Sequence, residues 1–545
     1  MKILDIACGS GAFPIGILQR VFMIIDKLDL NHEFYKELLL KNIRGQAKIE
    51  FEKLYESKKF DYAYKLYILQ NMIHGVDIQP IAIEISRLRA FLSLIVEEEK
   101  NEREDNLGIK PLPNLEFNFI SANSLISLEN KKSSQKEFED RASDGFIESM
   151  RNIAEEYFNA DSLEKKKKIK HKFDTLQSRI INEKSGFLTS ENKKKFLSWN
   201  PFENKSAEFF DSELQFGIKS FDIVIGNPPY GAKIEEAQKK IYKSLFKYTT
   251  QGSMDTYKLF IEKGFNLLKK EGNLNYIVPI SVTSSKSNIA LHKMLLENCE
   301  FIKVSSYGHR PVKIFYNAEQ RTSIISFIKT SSKTKNLMTT KLNRRYSNQS
   351  IDSVIKNMSF VNSIDFVQNG AFCKIGLPIE KNIMQKIYSQ KQTLKDLMNG
   401  KQKVYFRNTG GGYYDLYTSY STIKSTTESN FSAINSKIIV AILSSTLFYW
   451  YRNSYSEGRH SYIYEIDRFP IPNFTNQQIK LLEKLGGEYE TDIEKNHDYS
   501  NGVKTYKIRK SKHIIDKIDR LICPLYDLTE EETEFIIGYE LEFRV

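Results

Sequence analysis

The sequence predicts an α/β fold: a doubly wound sheet interrupted by a helical insertion and followed by an α+β domain. Three stretches carry that expectation. Ile3-Leu4-Asp5-Ile6-Ala7-Cys8-Gly9-Ser10-Gly11 is an apolar run that ends in small residues, and Phe13 to Ile25 continues with helical spacing, so the chain opens on a strand, a glycine turn and a helix. Met72-Ile73-His74-Gly75-Val76-Asp77-Ile78 is a second short strand that ends in an acid. Ile223-Val224-Ile225-Gly226 then runs straight into Asn227-Pro228-Pro229-Tyr230, a strand stopped by a rigid turn, because proline fixes φ and supplies no donor.

The remaining elements follow in order. Asp29 to Gln70 reads as long helix, with Leu, Phe and Tyr spaced among charges. Pro80 to Leu94 is a helix with Ile81, Ile85, Leu88, Leu92 and Ile95 close to one face. Phe117 to Ile120 is a third strand, followed by Ser121 to Leu125. From Lys131 to Asn200 long polar helices predict an inserted hairpin, whose lysine run Lys165 to Lys172 is either a solvated face or a cover for phosphates. Gln251 to Lys270 is a helix; Gly272 to Pro279, Phe301 to Tyr307 and Thr322 to Ile328 are strands.

Composition narrows the class. At 545 residues the chain exceeds one compact core, and 41% hydrophobic with 27% charged residues is ordinary for a soluble globular protein. A net charge of +12, from 80 basic against 68 acidic residues, leans towards a polyanionic partner. Cys8, Cys299, Cys373 and Cys523 form no CxxC pair, so neither a zinc site nor a disulfide framework is expected and a reducing cytoplasm fits. No signal-peptide layout opens the sequence and no apolar run approaches the roughly 18 residues of a membrane span.

In the glycine turn, Gly9 and Gly11 let the backbone turn sharply and approach a ligand; the pattern is neither GxGxxG nor a Walker loop, so a phosphate cradle is not expected. Asp77 stands where a Rossmann-type sheet binds ribose hydroxyls, although it lies far enough past the turn to require a helical insertion between them. At the third motif the diproline fixes the Asn227 amide oxygen and the Pro228 carbonyl as two acceptors beside the Tyr230 ring, a set suited to the exocyclic amine of a nucleobase.

Asn227-Pro228-Pro229-Tyr230 resembles the catalytic motif of S-adenosylmethionine-dependent amino-methyltransferases, chiefly the adenine-N6 DNA enzymes. Asp5-x-Ala7-Cys8-Gly9-Ser10-Gly11-x-Phe13 looks like their first motif. The resemblance implies that this loop packs against the methionine part of S-adenosylmethionine, with Asp5 near its ammonium end. It implies further that Asp77 and the adjacent Ile78 serve the cofactor and that Asn123 contacts its adenine. It also implies an aromatic opposite Tyr230 that stacks on the flipped base, best matched by Phe315, then Tyr316. The order, cofactor loop first and a long remainder last, is similar to the gamma arrangement of Type IIG and Type I-like restriction-modification enzymes. Residues 1–130 are then the cofactor half, 131–212 the insertion, 213–335 the catalytic half and 336–545 a DNA target recognition domain. Lys401 to Tyr414, Ser445 to Arg452, Arg459-His460 and Arg468-Phe469-Pro470 stand out there as basic and aromatic stretches.

The expected activity is methyl transfer to N6 of a flipped-out adenine in double-stranded DNA, within a restriction-modification system. Relatives of this type carry a segment ahead of the loop, and this chain opens within a few residues of it, so a truncated product, or one half of a split enzyme served by a separate N-terminal, nuclease or specificity subunit, is expected. The alternatives are a non-catalytic DNA-binding remnant and, among enzymes, N4-cytosine transfer or methylation of RNA or protein glutamine. A cytosine-C5 mechanism would need a Pro-Cys nucleophile, which the chain lacks.

Overall fold

The computed structural model describes residues 1–29, 33–42, 48–49, 52, 55, 60–97, 114–128, 136–160, 162–183, 190–313, 320–409, 414–423, 427–500 and 503–544. It divides into two compact units, one of Met1–Val278 with Ser326–Ser332, the other of Pro279–Ile325 with Lys333–Val545.

In the first unit five parallel strands stand in the order β3-β2-β1-β4-β5: β1 Ile3–Asp5, β2 Ile73–Asp77, β3 Phe119–Ser121, β4 Phe221–Gly226 and β5 Leu268–Pro279. Ile3 pairs with Ile73 on one side and Ile223 on the other, so β1 is flanked on both sides; Ile3 and Leu4 are accordingly buried. The chain winds outward through β2 and β3, then returns to the far side of β1 as β4. That reversal is the topological switch point, where ligands bind in such sheets.

Helix Ala12–Leu28 follows β1 and helix Pro80–Ile95 follows β2. The apolar face anticipated for the second of these is turned outward: Ile81, Ile85, Leu88 and Leu92 are all exposed. Its buried positions are Ala82, Ile83, Ser86, Ala90, Ser93 and Leu94. Close approach fixes one of these positions, since a Cβ on Gly11 would lie 3.0 Å from Ser86 Oγ and a small side chain must stand there, while Ile83 and Leu94 enter the core. Between Asp29 and Gln70 the described helices are Glu33–Asn42 and Phe60–Asn71.

The long connection from β3 to β4 carries helices Lys136–Phe158, Leu163–Glu183 and Ser190–Ser198. Phe117, Tyr157, Phe173 and Phe202 pack edge to face or tilted between them, and Gln177 Nε2 donates to the Phe196 and Trp199 carbonyls. Lys165 and Lys167 are solvent-exposed; Lys168 pairs with Glu164 and Lys172 with Glu156. Several boundaries differ from the sequence reading, three of them with a local cause. β3 begins at Phe119 because Glu116–Asn118 forms a turn, the helix before β5 spans Thr256–Leu267, and β5 begins at Leu268, where Glu271 at φ 65 lets the strand bulge.

β7, Thr322–Lys329, is shared: its first half counts with the second unit and its last residues with the first. In the second unit β6, Cys299–Tyr307, runs parallel to β8, Asn336–Asn343, and β9, Val361–Asn362, is antiparallel to β8. Beyond them a three-stranded antiparallel sheet, Gln402–Arg407 between Tyr417–Thr418 and Glu428–Ala433, packs with helices Ser436–Ser444, Thr446–Tyr455, Asn476–Lys495 and Lys512–Ile522 around one apolar core. The aromatic stretch Ser445 to Arg452 is buried throughout, so it belongs to that core and not to a surface. Among the described residues no helix is long and apolar enough to cross a membrane.

Candidate active site

The first motif lies where its residue types require. Gly9 and Gly11 take φ values of 53° and 84°, in the left-handed region that favours glycine, and Gly11 starts helix Ala12–Leu28 with no side-chain cap. A Cβ on Gly9 would meet no atom within 4 Å, so open space lies over the loop at that point. Ala7, Ser10 and Phe13 are half-buried, Phe13 in the first turn of the helix. Cys8 is buried, and burial together with the Asp5 and Asp77 charges pushes its thiol up, away from any nucleophilic role.

Asp5 ends β1 at 2% exposure. Its Oδ1 accepts from the Ala7 amide at 2.9 Å, whereas its buried Oδ2 has no hydrogen-bond partner among the described residues. Burial raises its pKa to about 7, against the Ala7 hydrogen bond and with help from the Asp77 charge. A buried carboxylate left half-satisfied is unusual in a core and common where a ligand completes the set.

Asp77 is doubly engaged: Oδ2 accepts from the Gly9 amide and Oδ1 from the Gln79 amide, both at 2.9 Å, so the acid at the end of β2 holds the glycine loop in place. The spare lone pairs of its oxygens leave room for a hydroxyl donor. Ile78 beside it is 57% exposed. Ser121 Oγ donates to the Ile78 carbonyl, and Asn123, after β3, accepts through Oδ1 from Leu125 N at 3.2 Å while its main-chain N–H donates to the Ala207 carbonyl. The structure therefore gathers Asp5 to Phe13, Asp77, Ile78 and Asn123 at the carboxyl ends of β1, β2 and β3.

The Asn-Pro-Pro-Tyr turn follows β4, the strand beside β1. Asn227 is exposed, Pro228 buried, Pro229 exposed and Tyr230 half-buried, with burial raising the Tyr230 pKa. Gly226 packs on Asp5: a Cβ there would lie 2.6 Å from Asp5 Oδ1. The two motifs thus meet at the switch point. Phe315 and Tyr316 lie outside the described residues.

Sequence reasoning missed what fixes these loops. Thr256 Oγ1 donates to the Pro229 carbonyl at 2.7 Å and Asp255 Oδ1 accepts from the Gly231 amide at 3.0 Å, so the start of helix Thr256–Leu267 holds the turn from both sides of Tyr230. Ser86 Oγ donates to the Gly9 carbonyl at 2.9 Å, and buried Ser124 donates to the Ile6 carbonyl at 2.6 Å. Tyr276 on β5 buries a hydroxyl without a partner among the described residues; burial and the Asp5 charge raise its pKa. The legible signal was an Asp-Thr pair at a helix start and small residues within a helix that passes a glycine loop.

Residues 71–315 match the model of the Eco57I restriction-modification methylase family. The chain resembles the restriction-modification methylases. A putative type II restriction enzyme and methyltransferase of Methanocaldococcus jannaschii is 27% identical over 62% of this chain and 30% of its own length. RM.Eco57I of Escherichia coli, a type II restriction enzyme and methyltransferase, is 24% identical over 59% of this chain and 24% of its own. The type II methyltransferase M.HincII of Haemophilus influenzae is 33% identical over 20% of this chain and 22% of its own. The match thus spans less than a third of the length of each of these methylases. Among solved structures, the Type IIL restriction-modification enzyme MmeI in complex with DNA is 12% identical, with a TM-score of 0.45 over 94% of this chain and 77% of that one.

Proposed function

We propose that this chain binds S-adenosylmethionine over the ends of β1 to β3 and transfers its methyl group to N6 of an adenine swung out of double-stranded DNA, as the modification activity of a restriction-modification system. The observation that carries the reading is the packing of Gly226 on Asp5, which brings the glycine loop and Asn227-Pro228-Pro229-Tyr230 together at one switch point. The methylase family match over residues 71–315 supports it independently.

The residues fit the cofactor. The unpartnered Asp5 Oδ2 would take the ammonium of its methionine part, Asp77 a ribose hydroxyl, Ile78 and Asn123 its adenine, and the open space over Gly9 allows close approach of the loop backbone. When bound, the cofactor supplies a methyl group on a positively charged sulfur. The acceptor amine is a weak nucleophile because its lone pair is delocalised into the ring. Hydrogen bonds from N6-H2 to the Asn227 amide oxygen and the Pro228 carbonyl would localise that pair on nitrogen, where it could take the methyl group as the cofactor's sulfur keeps the bonding pair. The extra nitrogen proton then leaves to water. Such a step needs positioning more than a strong base. Tyr230, and Phe315 opposite it, would hold the extruded base; Thr256 and Asp255 keep the turn in register.

The test is transfer of labelled methyl to unmethylated DNA by the purified chain, with Asn227→Ala alongside. Label recovered as N6-methyladenine and reduced about a hundredfold or more in the variant is the expected result. Label on cytosine N4 would overturn the adenine assignment. DNA binding with neither transfer nor cofactor binding would favour a remnant or a partner-dependent half.

A further inference from the structure

The second unit holds an open cleft of about 700 Å³ that the methyl-transfer chemistry does not use. One wall is the turn into helix Ile463–Ile466, from His460 to Tyr464, the other the ends of the antiparallel strands at Asn408, Thr427 and Ser429. The turn is held rigidly from below. Arg452, 4% exposed, donates through NH2 to the His460 carbonyl at 2.8 Å, through Nε to Glu465 at 3.2 Å and through NH1 to Asp415 at 2.6 Å. Thr409 bridges to His460, and Ser461 N donates to the Asn408 carbonyl, so both walls are tied together at the cleft floor.

On this support stands an aromatic pair. The rings of Tyr462 and Tyr464 are stacked, centroids 5.1 Å apart and 10° from parallel, and Tyr462 is 40% exposed. Lys286 Nζ lies 4.0 Å from the Tyr464 centroid, and the Arg468 guanidinium 5.9 Å from it. A large aromatic ring held in place, exposed, and backed by a second ring and two cations is a stacking platform for a flat, electron-poor ring attached to an anionic backbone. The facing wall supplies amide and hydroxyl groups, with Asn408 Nδ2 on Ser429 Oγ at 3.1 Å, the groups that read a base edge.

The geometry points to this cleft as a subsite for one unpaired nucleobase of DNA, stacked on Tyr462 with its edge towards Asn408 and Ser429. The assignment rests on the reading that the chain acts on DNA and adds a contact away from the methyl-transfer motifs. The base could come from a single strand or from a duplex position opened beside the target, and the chemistry recognised is the same.

The probe is 2-aminopurine, placed in a single strand, at one unpaired position of a duplex, and in a fully paired duplex. With the wild-type chain its fluorescence should be quenched in one or both of the first two, and which of them responds names the source. Tyr462→Ala should weaken binding of the quenched probe at least about fivefold, whereas Tyr462→Trp should retain affinity and show its own indole quenching on binding. Asn227→Ala should leave the quenching unchanged. Paired-duplex binding with no quenching of either unpaired probe, or equal affinity in Tyr462→Ala, overturns the subsite alone. No binding of any DNA by the folded wild-type chain overturns both the subsite and the DNA reading.

Discussion

Two buried acidic groups, one in each unit, show how the same kind of residue can be set to opposite purposes. In the second unit Glu465 is 3% exposed and answered by Arg452, which also takes Asp415 and the His460 carbonyl; every guanidinium nitrogen has its acceptor. In the first unit Asp5 is as deeply buried, yet it receives one backbone amide, leaves Oδ2 unanswered and carries a pKa raised to about 7 by burial. A closed ion-pair network holds a shape; the open oxygen of Asp5 at the sheet switch point is what the proposed cofactor's ammonium would answer. The contrast separates the scaffold from the site more sharply than composition does.

The largest effect should come from breaking the closed network. Arg452→Met strands the buried Glu465 and the half-buried Asp415 and should destabilise the second unit by about 3–5 kcal/mol, read by urea unfolding followed through tryptophan fluorescence, Trp450 being buried in that unit. Unaltered unfolding would mean that the network is not closed.

The second prediction concerns pH. Because the Asp5 carboxyl has a folded pKa of about 7, above the ordinary 3.8, the folded state without cofactor holds that proton longer than the unfolded one. Its stability contribution is full below about pH 4 and is lost as pH rises to about 7, a difference on the order of 4 kcal/mol at most. Asp5→Asn removes that dependence, so in thermal melts without cofactor the variant and wild type should coincide near pH 4 and the variant should melt higher at pH 8. Parallel curves would show that Asp5 is not a buried titrating group.

Gly226→Ala tests the join between the motifs. Its Cβ would press on Asp5 Oδ1 from 2.6 Å, an overpacking cost of about 1–3 kcal/mol, and methyl transfer should fall further than stability does. Thr256→Val is the mildest: loss of the Pro229 hydrogen bond, about 1 kcal/mol, should lower kcat several-fold and leave cofactor affinity unchanged. A change in cofactor affinity instead would place Thr256 in the wrong half of the site.

The elements that make the site were legible because each has a local signature. Apolar runs marked β1, β2 and β4, glycines marked the left-handed turn, and the diproline marked the stop after β4. What stayed hidden was set by neighbours far along the chain. The helix Pro80–Ile95 sets Ser86 against Gly11 of the loop, and no periodicity in its own residues states that. The grip of Thr256 on Pro229 depends on where a later helix begins. Arg452 read as a basic surface candidate because its partners, Asp415 and Glu465, flank it from separate segments. The Tyr462 platform was obscured for the same reason: a short Tyr-Ile-Tyr string gives no hint of a buried guanidinium beneath it.

The most direct test of the central claim is calorimetric titration of S-adenosylmethionine into the chain and into Asp5→Asn across pH 5.5 to 8.5. An ionised Asp5 meeting an ammonium group requires wild-type affinity to rise about tenfold per pH unit up to about pH 7 and then level off, with proton release below that point, while Asp5→Asn binds more weakly and without that slope. Equal, pH-independent affinity in both chains would contradict the account, because the unanswered oxygen at the switch point would then have no ligand to answer it.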